Sequence, residues 1–344
     1  MVVFSYNVNR VFAVLGLRRT YLTSQIFGLV AVGILYWGFS QLSYLIIVAG
    51  LLLAGLPGNL VSVGIISIIK QQTSDAAQFR KYSATREVIL GTSQIIAGIS
   101  VPFLIPSIGV SGILVLDALS YITAFIYISR VLTESSIPRD LGTIPPFPNF
   151  HYIFRPRFKE FAFIAASPLL LLAFLPMMAG SDNFSSILSL PDSVRRSLWA
   201  IEGFTMALSG SAYFLMKKWF DYSSFLALFL LNGLWVTTLN LPHTTTVSIG
   251  VCIVIAFSFN FCFVRLRDDL LIASGHDKAS ITAYSGLALA FRSAMATISP
   301  FLLAWIFGYL SFPRACVALL LGQGTLVVCG VLIARTHLRP GLTA

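Results

Sequence analysis

Long apolar runs recur along this chain, and they leave it little choice but a bilayer. Crossing the hydrocarbon core takes about 20 apolar residues in a helix. Runs of that kind fall near 22–40, 43–69, 88–106, 110–130, 160–180, 195–216, 222–241, 245–264, 283–309 and 314–334. Only 10% of the residues are charged, against roughly 25% in a soluble domain, too few to cover a water-facing surface. The expected fold is an all-α integral membrane protein of about ten transmembrane helices, because backbone in lipid must satisfy its own hydrogen bonds. Leu56-Pro57-Gly58-Asn59 predicts a kink in the second run. Pro102 to Pro106, ahead of Gly109 and Gly112, predicts a hairpin after the third.

The formal net charge is +10, and its distribution orients the helices, since cytoplasmic loops collect Lys and Arg. Of the 23 basic residues, all but four fall on one side of the predicted alternation, from Arg10, Arg18 and Arg19 through Lys70, Arg80, Lys81 and Arg86 to Arg335 and Arg339. Arg195, Arg196 and Arg314 lie on the other side, and Arg292 lies inside a span. Both termini are therefore expected in the cytoplasm. The basic loops lack interleaved aromatics, which argues against nucleic acid and for membrane lipid as the surrounding partner. Trp37, Trp199, Trp219 and Trp305 fall near span ends, as interfacial anchors do. Cys252, Cys262, Cys316 and Cys329 sit in apolar runs and read as small hydrophobes rather than a disulfide framework.

The longest polar stretch, 131–159, carries Pro138, Pro145, Pro146, Pro148 and Pro156 and reads as a semi-rigid linker. It divides an N-terminal bundle of four spans (1–130) from a C-terminal bundle of six (160–344). The two halves share a plan. Lys70 to Arg130 and Arg265 to Arg335 both run basic loop, helix with a proline near its end, short hairpin, helix with a basic end. Ile99-Ser100-Val101-Pro102 corresponds to Ile298-Ser299-Pro300 at an offset of about 198, the kind of internal repeat that transporters carry. That offset places the start of the first bundle about 39 residues before Met1, so the four-plus-six pattern reads as an incomplete N-terminal bundle lacking one helical hairpin. A ten-helix protein with an unequal first half is the alternative.

An ionisable group inside a membrane helix is costly and so points to function. Arg292 lies about 13 Å into its span at 1.5 Å per residue, where it would bind an anion, pair with a proton-exchanging carboxylate, or make a structural ion pair. Asp117 and Glu202 each lie some way in from the outer face, as coupling carboxylates or as structural partners, Glu202 with Arg195 or Arg196. Glu87 reads as a cytoplasmic-edge residue. Gln94 is a cavity-lining amide candidate, and Gly91 and Gly98 allow close helix packing. Enzyme signatures are missing: there is no HExxH, GxSxG or P-loop, and His151, His243, His276 and His337 are scattered through loops and the tail. No catalytic residue, cofactor or metal site is expected. Asp268-Asp269 is flanked by Arg265, Arg267 and Lys278 and reads as an interhelical salt bridge rather than a metal site.

Leu116-Asp117-Ala118-Leu119-Ser120-Tyr121, followed by Arg130 and a proline-bearing linker, resembles a helix of the macrolide-efflux-like exporters of bacteria, within the major facilitator superfamily. Members of that superfamily have twelve helices in two six-helix bundles. Its cytoplasmic motif survives here only as Gly16-Leu17-Arg18-Arg19, without the acidic residue. Its antiporter motif is matched by Gly91, Gly98 and Pro102, with Val101 where a glycine usually precedes the proline. The resemblance implies a monomeric secondary transporter of the bacterial inner membrane. It would export a lipophilic or amphiphilic small molecule by alternating access, coupled to H+. Import of a small metabolite is the nearest rival. A truncated or accessory protein without transport activity is the rival of another class.

Overall fold

The computed structural model describes residues 2–73, 75–131, 151–172, 198–215, 233, 244–275 and 278–338, and every regular element among them is a helix. In chain order these are α1 (Val2–Ser40), α2 (Tyr44–Gln72), α3 (Ala76–Val131), α4 (His151–Phe154), α5 (Pro156–Leu172), α6 (Leu198–Leu215), α7 (Thr245–Ala273), α8 (Lys278–Tyr309) and α9 (Phe312–Leu338). Among the described residues, five stretches are long and apolar enough to cross a bilayer: Arg18–Ser40, Tyr44–Ile66, Ala76–Val131, Thr245–Ala273 and Phe312–Ala334. The predicted span at 222–241 (Gly233 apart), the second half of 160–180, Arg195, Arg196 and the linker as far as Phe150 lie outside the described residues.

Two of the long helices are pairs joined at a glycine. Gly16 has φ 74° and ψ 167°, and Gly109 has φ 68° and ψ 175°. These are left-handed values that a Cβ makes costly. Gly109 therefore makes the turn expected after the third span, and this corrects the hairpin placed at the prolines: Pro102 and Pro106 both remain inside the helix. Pro57 likewise lies within α2 without ending it. A proline removes one N–H and crowds one carbonyl, and the surrounding helices of a membrane protein can re-satisfy that carbonyl.

The chain divides into two compact units. The first comprises Met1–Ser74, Val101–Phe150 and Ser274–Ser293. Its core is Val32, Leu35 and Leu114, with Ile47, Ala118 and Tyr121 packed against them. α1 and α2 are joined by a tight turn in which Gln41 and Ser43 donate to the carbonyls of Trp37 and Gly38, so they lie side by side as an antiparallel pair. Arg18, beyond the Gly16 break, donates from Nη2 to the Ser129 carbonyl at 2.8 Å and caps the last turn of α3.

The second unit comprises Asp75–Ser100, His151–Ala273 and Ala294–Ala344. At its centre is α7, 67% of whose apolar span is buried, packed by α5 and α6. Phe161 of α5 meets Phe263 edge-on, and Tyr213 of α6 meets Phe261 in the same manner. Much of α3 is open at its surface: Ile89, Ile96, Phe103, Leu119 and Ile126 all face outward, as side chains that meet lipid do.

Candidate functional site

α3 begins at Ala76, a full three turns before the predicted 88, and α7 runs to Ala273 rather than 264. Local chemistry sets both ends. The Asp75 carboxylate accepts from the Gln78 N–H and its carbonyl accepts from Phe79, the N-cap arrangement. Gly275, with φ 67°, follows the end of α7, where helices commonly stop in a left-handed glycine. Along the added turns of α3, Phe79, Ser83 and Glu87 are all buried. Their four-residue spacing puts them on one face.

That face meets the end of α7 in a buried ion cluster. Arg267 donates from Nη1 to Glu87 Oε1 at 3.1 Å and from Nη2 to Ser83 Oγ at 2.7 Å. Its Nε and Nη2 also reach Asp268 Oδ1, at 3.1 and 2.9 Å. Glu87 Oε1 accepts in addition from Arg86 Nη1 at 2.6 Å. The side chains of Arg267, Glu87 and Asp268 are only 10%, 5% and 0% exposed, so these charges depend on one another rather than on water. A second, more exposed tier lies beside them. Arg80 bonds Asp269 at 3.0 Å, and Arg265 approaches the other oxygen at 3.6 Å. Asp269 thus joins α3 to α7 as the interhelical pair expected of this acidic doublet, and Glu87 lies inside the buried cluster.

Beyond the cluster, α3 packs on α6 through glycine. A methyl group on Gly91 would overlap the backbone of Gly203 and Ala207, one on Gly98 the backbone of Ala200, and one on Gly203 would meet Gln94 and Ile95. α6 joins α7 in turn, where Asn260 Nδ2 donates to Thr205 Oγ1 at 3.4 Å, both residues buried.

The residues singled out in the sequence are thus partly gathered. Gly91, Gln94 and Gly98 lie against the helix that carries Glu202, which is half-buried beside Gly203. Asp117 is exposed on the second arm of α3; its carbonyl accepts from the Ser120 hydroxyl at 2.7 Å, and its Oδ1 lies 3.4 Å from that hydroxyl. Arg292 is half-buried in α8, and Pro102 half-buried in α3. Of the Gly16-Leu17-Arg18-Arg19 remnant, Gly16 makes the helix break, Arg18 caps α3, and Arg19 is exposed. Arg267 and Asp268 were not singled out as site residues. The Asp75 cap and the spacing of Phe79, Ser83 and Glu87 are the signals that would have extended α3 to them.

No family model and no curated protein matches the sequence. Solved structures do match it in fold. The human organic anion transporter MFSD10 (TETRAN) superposes with a TM-score of 0.70 at 12% identity, over 96% of this chain and 80% of that one. The major facilitator superfamily transporter FucP, in its outward conformation, gives 0.69 at 8% identity, over 96% and 86%. A bacterial homologue of the iron transporter ferroportin, in an outward-facing state, gives 0.62 at 12%, over 96% and 87%. The chain therefore has the fold of major facilitator superfamily transporters, and the all-α expectation of that type holds.

Proposed function

We propose that this chain is a secondary transporter working by alternating access, with H+-coupled efflux of a lipophilic or amphiphilic small molecule as its activity. The observation that carries the reading is the buried cluster joining α3 to α7. In this reading residues 1–130 form one bundle, 131–159 the linker and 160–344 the other, and the cluster ties α3 to α7 at their cytoplasmic ends. Substrate would bind nearer the midplane, as in transporters built from repeats. Gln94, Glu202, Asp117 and Arg292 are the candidates, each within its own unit, for meeting it or its coupling ion.

The construction of the cluster suits a lock that opens repeatedly. Each helix carries an adjacent Arg–acid pair, Arg86–Glu87 on α3 and Arg267–Asp268 on α7. If the helices part, the bonds from Arg267 to Glu87 and Ser83 and from Arg80 to Asp269 are lost, and in the buried tier each helix keeps a neutralised pair. The FucP and ferroportin-homologue structures compared above are described as outward or outward-facing, the state in which the cytoplasmic end is shut.

Reconstitution into proteoliposomes with an imposed pH gradient tests the reading. Lipophilic fluorescent dyes should move against the direction of proton flow, and an uncoupler should abolish the movement. Dye movement identical to that of protein-free liposomes across a broad panel, with folded protein present, would overturn it.

A further inference from the structure

Three buried atoms of the cluster's two tiers have no hydrogen-bond partner, Arg80 Nε, Arg86 Nε and Asp268 Oδ2, and the last is the acceptor among them. Arg267 turns both Nε and Nη2 toward the same oxygen, Oδ1 of Asp268. Asp268 is 0% exposed; the Ser83 hydroxyl also lies against its carboxyl, while its other oxygen, Oδ2, is buried with no hydrogen-bond partner. On α6, which packs against α7, the Tyr213 hydroxyl is likewise buried without a partner, and it lies within electrostatic reach of Asp268. A buried carboxylate oxygen without a donor costs free energy, as does a buried hydroxyl. Two such atoms on packed helices mark a site that is incomplete as it stands.

We propose that Asp268 Oδ2 and the Tyr213 hydroxyl form a proton-binding site, in which Asp268 takes a proton from water onto Oδ2 and the phenol serves as its hydrogen-bond partner, directly or through one water. Rather than a metal cation, the surroundings favour a proton. Arg267 and Glu87 act on the carboxyl directly, and in the same two tiers Arg86 pairs with Glu87 while Arg80 and Arg265 pair with Asp269. α5, which also packs on α7, adds Arg157, Lys159 and Glu160, the first and last paired with each other. A metal ion would need several oxygen ligands amid these cations, whereas a proton needs only the orphaned oxygen. The step balances simply: hydronium gives up a proton and becomes water, Asp268 becomes a neutral carboxyl, and no other bond is broken.

Uptake has a mechanical consequence. With Asp268 neutral, Arg267 loses one of its two counter-charges while Arg80, Arg86 and Arg265 remain nearby, so mutual repulsion loosens the join between α3 and α7. The proposal rests on the transporter reading for its purpose, naming Asp268 as the coupling carboxylate, but not for its test.

Infrared difference spectroscopy of the purified protein in lipid, titrated with pH, reads the site without any substrate. The expected result is a carbonyl-stretch band of a protonated carboxyl that appears on acidification, vanishes in Asp268→Asn and shifts in frequency in Tyr213→Phe. A titrating band that survives unchanged in Asp268→Asn, or a wild-type protein with no titrating carboxyl band, overturns the proposal. If Asp268→Asn does not fold, Tyr213→Phe decides alone: a shifted band supports the site and an unmoved band refutes it. Failure of dye transport with this band intact would instead count against the transporter reading.

Discussion

Deleting the Arg267 guanidinium would leave Glu87 with Arg86 alone and strand Asp268 in a region without water. Breaking a buried ion pair by removing one partner typically costs about 3–5 kcal/mol, because the survivor remains uncompensated. Arg267→Met should therefore destabilise the protein by about that amount. Arg80→Ala, at the half-exposed outer tier, should cost no more than about 1 kcal/mol. Thermal unfolding in lipid nanodiscs compares the two directly, and equal losses would mean that the inner tier is not the stronger one. Arg267→Lys should rescue little, since an ammonium lacks the planar fork that reaches Glu87, Ser83 and Asp268 at once.

Helix by helix, the apolar runs located most described spans closely. The departures fall where apolarity stops being the signal. The first turns of α3 and the last turns of α7 are amphipathic, so a search for unbroken apolar residues ends before them. Their existence is written instead in the Asp75 cap, the four-residue spacing from Phe79 to Glu87, and Gly275. The candidate site was hidden for the same reason: Glu87 and Asp268 fall outside the apolar runs, whereas Arg267 draws them together within helices. Close packing of Gly91 and Gly98 was legible as small residues, but their partners Gly203, Ala207 and Ala200 depend on which helix comes alongside. Gly203→Leu should force α6 away from α3, giving a marked loss of folded yield. Gly109→Ala should cost about 1–2 kcal/mol through its left-handed backbone alone. A fully tolerated Gly203→Leu, seen as unchanged monodisperse elution, would mean that these helices do not approach as closely as their glycines allow.

At the scale of the molecule, the proposed transport requires that the chain exchange between two closures, and in that proposal the cluster is where one closure is held. Exchange requires the ends of α3 and α7 to separate without leaving a bare charge in the buried tier, which the two self-neutralised Arg–acid pairs permit. Lys81 and Ala273 are exposed near those ends. Cys252, Cys262 and Cys316 are buried, so labels attached at introduced cysteines, in a background lacking Cys329, report on these positions. Pulsed electron resonance between labels at Lys81→Cys and Ala273→Cys, in lipid nanodiscs, measures the separation directly. Two distance populations are predicted, with the longer one gaining weight on acidification and dominating in Arg267→Met. A single distance, unchanged by pH and by loss of Arg267, would contradict the idea that this junction opens at all.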